Sequence, residues 1–127
     1  MGTRKNRLLV VDDEEAILYA YKKLFGAPRM GMLVDTASSM EEAAIFLGKH
    51  KYNVVLTDLR LGINDDRSGF QLIRSIKERD KSVKIILVTA YGSMEVKKLS
   101  YEVGVDYYLE KPVSTEVLKQ IFRELNI

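Results

Sequence analysis

Strand-like and helix-like stretches alternate five times along this chain, and that alternation limits its fold more than any other feature. Short β-type apolar runs fall at residues 7–11, 32–37, 54–57, 85–89 and 107–109, each followed by a stretch with apolar residues at helical spacing. Parallel strands need crossover connections, and helices in those crossovers cover both faces of the sheet. The expected product is an α/β, doubly wound sandwich forming one domain over residues 1–127. Its first helix covers residues 14–25, with Ile17, Tyr21, Leu24 and Phe25 on one stripe and Gly26-Ala27-Pro28 as the stop. Ser38, with Glu41 three residues on, reads as a capping box that starts a second helix and turns Ala44, Ile45 and Leu47 inward. Phe70, Ile73 and Ile76 mark the third helix, and residues 93–101 the fourth. The fifth begins at Ser114 as N-cap, with Val113 and Leu118 as a hydrophobic staple and Val117, Ile121, Phe122 and Leu125 as its stripe.

Four of the apolar runs end in a side chain that chemistry can use. They are Leu8-Leu9-Val10-Val11-Asp12-Asp13, Val54-Val55-Leu56-Thr57-Asp58, Ile85-Ile86-Leu87-Val88-Thr89-Ala90 and Tyr107-Tyr108-Leu109-Glu110-Lys111-Pro112. The carboxyl ends of parallel strands line the crevice where open α/β sheets bind ligands, so carboxylates, a hydroxyl and an ammonium are expected at one edge. Adjacent aspartates at a helix start also have a plainer use, capping the first turn. An aspartate that ends an apolar strand is less easily explained by local structure. Carboxylates converging there repel one another unless a cation lies between them, and oxygen-only donors suit Mg²⁺ or Mn²⁺. Lys111 beside such a cluster is a point charge for a phosphoryl group. Thr89 offers it a hydroxyl, while Ala90 and Gly92 leave the crevice unobstructed.

Composition narrows the remaining choices. Cysteine is absent, which excludes disulfides, thiolate metal sites and cysteine nucleophiles and suits a reducing, cytoplasmic setting. The net charge is +2 with basic residues set among acids, as in Lys77-Glu78-Arg79-Asp80, which argues against direct nucleic-acid binding. The apolar runs are far shorter than a membrane span, and Met1-Gly2-Thr3-Arg4-Lys5-Asn6 carries neither a signal-peptide core nor a myristoylation pattern.

Val10-Val11-Asp12-Asp13-Glu14, Leu56-Thr57-Asp58-Leu59-Arg60, Thr89-Ala90-Tyr91-Gly92-Ser93 and Tyr108-Leu109-Glu110-Lys111-Pro112 follow one another on successive strands. In that order they resemble the receiver domain of bacterial two-component response regulators over nearly the whole chain. The resemblance implies a flavodoxin-like, five-stranded parallel sheet in the order 2-1-3-4-5. It also implies a phosphorylation-dependent signalling switch and not a turnover enzyme. The segment Thr89-Ala90-Tyr91-Gly92-Ser93-Met94-Glu95 is most similar to receivers of the nitrogen-regulation type, which usually precede an ATPase and a DNA-binding module.

Residue roles follow from the same resemblance. Asp58 would accept a phosphoryl group from a sensor histidine kinase or phosphotransfer protein. Asp13 and Asp58 would bind Mg²⁺ directly, Asp12 through water, and the backbone carbonyl of Arg60 would add a further ligand. Lys111, Thr89 and the amide of Ala90 would hold the phosphoryl oxygens. Tyr108 matches an aromatic switch position whose ring turns inward as Thr89 moves, and Tyr107, its strand neighbour, should point the other way. The output face would be helix 4, strand 5 and helix 5, with Lys97, Lys98, Tyr101, Tyr107 and Glu110, docking an effector domain or protein or a second copy in a homodimer. Arg60 and Tyr91 flank the approach of a hydrolytic water, and their bulk implies a long-lived phosphorylated state.

The chain departs from the usual pattern in the longer, polar segment Ile63-Asn64-Asp65-Asp66-Arg67-Ser68, whose Asp65 and Asp66 read as solvated loop acids. His50 is expected at the end of helix 2 and not as a phosphocarrier. Two rival classes share parts of the signature. A haloacid-dehalogenase-type phosphohydrolase would want an acid two residues after the nucleophile, where this chain has Arg60. A flavodoxin-like cofactor carrier would want a Ser/Thr/Gly phosphate loop where Asp12-Asp13 stand.

Overall fold

The computed structural model describes residues 6–61 and 68–127; Asp65 and Asp66 lie outside the described residues. The elements run β1 (Asn6–Val11), α1 (Glu15–Phe25), β2 (Met32–Ala37), α2 (Met40–Lys49), β3 (Val54–Thr57), α3 (Ser68–Arg79), β4 (Lys84–Thr89), α4 (Met94–Val103), β5 (Tyr107–Glu110) and α5 (Thr115–Glu124). All strand pairs are parallel and the order is β2-β1-β3-β4-β5, the doubly wound, flavodoxin-like arrangement.

The strands are apolar on both sides because both sides are covered. Leu8, Val10, Val54, Leu56, Ile86 and Val88 pack with Leu18 and Phe25 of α1 and Leu118, Ile121 and Phe122 of α5. Phe25 meets Phe122 edge-to-face, with ring centroids 5.0 Å apart at 82°. Leu9, Val11, Val55, Ile85 and Leu87 face the other way, against Ala43 of α2, Ile73 and Ile76 of α3, and Val96 of α4. Tyr107 and Tyr108 divide between these two layers, as strand alternation requires.

Local details differ from the sequence reading at four places. The N-cap of α2 is Ser39, whose hydroxyl accepts the Glu42 N–H at 3.1 Å, while Ser38 donates from its amide and hydroxyl to the Glu42 carboxylate. This one-residue shift rotates the helix: Ala43 is buried and Phe46 and Leu47 pack on the core, leaving Ala44 exposed and Ile45 58% exposed. In α5 Val117 is 43% exposed and Leu118 takes the core position. In α1 Leu18 joins the core, with Ile17 only half-buried. After α1, Pro28–Met30 make a 3-10 turn that ends at Gly31 with φ +66°, a conformation natural to glycine. The cap of α5 is as expected, with Ser114 accepting the Val117 N–H at 3.2 Å. His50 closes α2 through its backbone N–H to Phe46 O at 3.0 Å, and its ring rests edge-on to Tyr52.

Strand order places the site. Connections leave β1 toward β2 on one side and return to β3 on the other, so the carboxyl ends of β1 and β3 border the switch-point crevice. Val11 and Thr57 are register partners, which sets Asp12 and Asp58 side by side one residue later.

Candidate functional site

The backbone at the β1 and β3 ends is pinned before any side chain acts. The Asp12 amide donates to Ala37 O and the Asp58 amide to Val11 O, both at 3.1 Å. Thr57, a polar residue inside an apolar strand, turns its hydroxyl onto Asp58 O at 2.9 Å. Gly69, in the first turn of α3, packs directly on this backbone: a Cβ there would lie 2.5 Å from Asp58 O and 2.9 Å from Leu59 Cα.

Each aspartate divides its two oxygens between structure and crevice. Asp58 Oδ1 accepts the Leu59 N–H at 2.6 Å and the Arg60 N–H at 3.4 Å, leaving Oδ2 turned outward. Asp12 Oδ1 accepts the Glu14 N–H at 2.9 Å, a turn just before α1; the N-cap of α1 is Glu14, whose side chain makes no capping bond, so neither aspartate caps the first turn as the sequence allowed. Both free oxygens meet the Lys111 ammonium, at 2.9 Å from Asp58 Oδ2 and 3.2 Å from Asp12 Oδ2. Lys111 reaches them because its amide is anchored to Thr89 O at 2.8 Å, which holds the end of β5 to β4.

Burial and charge pull against each other here. Burial raises the Asp12 carboxyl above its ordinary value, and the Glu14 N–H and the Lys111 charge offset only part of that. Burial alone would lower the Lys111 ammonium, but the hydrogen bond and charge of Asp58, joined by those of Asp12, hold it above its ordinary value. Two carboxylates against one ammonium leave the cluster with an excess of negative charge.

The structure does not bring every expected acid into this cluster. Asp13 is exposed, and among the described residues no group of three or more His, Cys, Asp or Glu side chains is gathered to hold a metal ion. Glu110, expected on the output face and not in this cluster, accepts the Tyr108 hydroxyl at 2.8 Å. Thr89 is fully buried, with its hydroxyl accepting the Tyr91 N–H at 3.0 Å. Two residues after Asp58 and two after Thr89, the Arg60 guanidinium stacks 3.5 Å from the centroid of the Tyr91 ring. Gly69 and Thr57 carried signals in the sequence, a glycine opening a helix and a hydroxyl within an apolar strand. The Tyr108–Glu110 bond carried a partial one, since residues two apart on a strand share a face, but whether they meet depends on where the β4–α4 loop lies.

The family model for the response regulator receiver domain matches residues 8–123. The response regulator protein PilR of Pseudomonas aeruginosa is 30% identical over 117 residues, covering 92% of this chain and 25% of PilR. The chain thus spans about a quarter of the length of the curated relatives it matches first. A CheY-like response regulator receiver domain protein from Methanospirillum hungatei superposes with a TM-score of 0.85 at 29% identity, over 97% of this chain and 95% of its own. A response regulator protein from Burkholderia pseudomallei, whose structure contains a phosphorylated aspartic acid, calcium ion and citrate, superposes at 0.78 with 28% identity, over 94% of this chain and 72% of its own.

Proposed function

The chain belongs to the response regulator receiver family, and on that premise we propose that it is a phosphorylation-dependent switch whose acceptor is Asp58. Receiver domains are signalling domains, and the donor read here is the phosphohistidine of a sensor kinase or phosphotransfer protein. The observation that carries the assignment is the division of labour at Asp58: Oδ1 is held by backbone amides while Oδ2 faces the crevice beside Asp12 and Lys111. Attack by Oδ2 on phosphorus releases the donor imidazole. Lys111 must then leave Oδ2, and its ammonium moves on to the phosphoryl oxygens.

The donor set fits a hard divalent cation. Asp12 and Asp58 already present oxygens to one cation, the Lys111 ammonium, and every candidate ligand is an oxygen. Asp12, Asp13, Asp58 and the carbonyl of Arg60 would hold Mg²⁺, or Mn²⁺ in its place. Such an ion neutralises charge on the transferring phosphoryl group.

Phosphorylation adds roughly −1.5 to −2 charges and new acceptor oxygens, favouring the conformer in which Thr89, the Ala90 amide and Lys111 reach them. The Thr89 hydroxyl, which accepts from the Tyr91 amide at rest, still has its proton to donate. Its movement draws in the β4–α4 loop, and Tyr108 follows. The surface that changes is α4, β5 and α5, where Met94 is 86%, Tyr101 48% and Val117 43% exposed. An effector domain or protein, or a second copy of this chain, docks there. The Arg60–Tyr91 stack shields the phosphoryl group from water and prolongs the signal. No helix among the described residues is long and apolar enough to cross a membrane, and the switch is read as working in the cytoplasm.

Incubation with acetyl phosphate and Mg²⁺ tests the reading. One phosphoryl group should be incorporated, and Asp58→Asn or chelation should abolish it. Undiminished labelling in either case overturns the assignment.

A further inference from the structure

Three contacts meet at the amino end of α4, outside the crevice. The Tyr108 hydroxyl donates to Glu110 Oε2 at 2.8 Å, and a phenol bonded to a carboxylate makes a charge-assisted hydrogen bond. Directly over that bond lies Gly92. A Cβ at Gly92 would overlap both the Glu110 carboxylate and the Tyr108 hydroxyl. Among the described residues the positive-φ glycines are Gly31 and Gly104, so what favours glycine at position 92 is space and not backbone conformation, and a Cβ there would push the two side-chain ends aside. Ser93 then caps α4 through the Val96 N–H, so the Glu110 charge lies at the end of a ten-residue helix that favours an anion.

We infer that Glu110 is a positioning residue that holds Tyr108 in its resting orientation, and that Gly92 admits the pair by lacking a side chain. The inference rests on the reading of Tyr108 as the switch residue and goes beyond it, by naming what the switch must break. The β4–α4 loop is held at rest from two sides, by the Thr89 hydroxyl on the Tyr91 amide and by the Tyr108–Glu110 pair under Gly92. Burial, and then the Glu110 bond and charge, push the Tyr108 phenol up to about 12, so it keeps its proton and remains a donor throughout the physiological range. Strand alternation sends Lys111 into the crevice and its neighbour Glu110 outward. The same short segment therefore contacts both the phosphoacceptor and the lock on its output. For Tyr108 to turn inward the Glu110 bond must open, and its strength sets how much of the inward state exists before phosphorylation.

The test uses the whole chain, unphosphorylated, with the Tyr108 ring located by NMR contacts to the Thr89 methyl group. Glu110→Gln, which keeps a neutral acceptor but loses the charge, should raise the inward-to-outward ratio roughly fivefold, the difference expected between a charged and a neutral acceptor, and Glu110→Ala should raise it further. Gly92→Ala should act in the same direction. In a Tyr108→Phe background, where the hydroxyl is already gone, Glu110→Gln should leave the ring where it was. An unmoved ratio in Glu110→Gln, or the same shift with and without the Tyr108 hydroxyl, overturns the inference. Because this readout needs no phosphate, failure of Asp58 to accept a phosphoryl group would refute the acceptor reading separately.

Discussion

Replacing Lys111 with methionine tests the electrostatic core of the site, because it keeps much of the side-chain bulk and removes the ammonium that bridges Asp12 and Asp58. Those carboxylates have side-chain exposures of 5% and 11%, and Lys111 itself 23%. Deleting one partner of a buried pair costs about 3–5 kcal/mol, since the charge left behind stays desolvated. Partial solvent access at Lys111 brings the expected loss to about 2–3 kcal/mol. At about 3–4 °C per kcal/mol for a chain of this size, the melting temperature should fall by about 6–12 °C. In an Asp58→Asn background one of the two facing charges is already gone, so the same substitution should cost at least about 1 kcal/mol less. Added Mg²⁺ should recover more stability in Lys111→Met than in the parent, because the ion replaces the missing charge. Thermal and urea unfolding of the four proteins, with and without Mg²⁺, give these numbers. A Lys111→Met cost below about 0.5 kcal/mol, or an equal cost in both backgrounds, would refute the reasoning.

Gly69→Ala should destabilise by about 1–3 kcal/mol and slow phosphoryl transfer, because the added Cβ presses on Asp58 O and Leu59 Cα; unfolding and labelling rates check both effects. Arg60→Asn and Tyr91→Glu should each shorten the life of the aspartyl phosphate by opening the stacked pair above it, and slower or unchanged decay would remove the shielding role. Tyrosinate absorbance should show one phenol titrating near 12, assigned by its loss in Tyr108→Phe and lowered in Glu110→Gln. The folded value exceeds the unfolded value of about 10, so the native state holds that proton more tightly. This contribution to stability is complete below about pH 10 and is lost as pH rises toward the folded value.

How far the chain could be read from its residues varied with the range of the forces involved. Strands β1, β3 and β4 announced themselves because burial on both faces demands continuous apolar runs, and Asp12, Asp58 and Thr89 stood out as polar groups at their ends. Strand order then brought Asp12, Asp58 and Lys111 together although 99 residues separate the first from the last. The face of α2 was misread because Ser38 and Ser39 each have a glutamate three residues on, so two capping registers are written in one stretch. Only the fit against the sheet selects Ser39. Val117 and Leu118 posed the same problem in α5, where adjacent apolar residues compete for one core position. Glu110 was placed on the output face from sequence, but its bond to Tyr108 depends on the space left by Gly92. Strand alternation puts Tyr108 and Glu110 on one face, but no local pattern encodes the packing of Gly92 over them.

The most direct measurement is to locate the phosphoryl group itself. After reaction with acetyl phosphate and Mg²⁺, borohydride reduces an acyl phosphate to the corresponding alcohol, and peptide mass spectrometry identifies the residue converted. The account predicts conversion at Asp58 alone, lost when Mg²⁺ is chelated. Conversion at Asp12, Asp13 or any other acid, or conversion at Asp58 that ignores the metal, would contradict it.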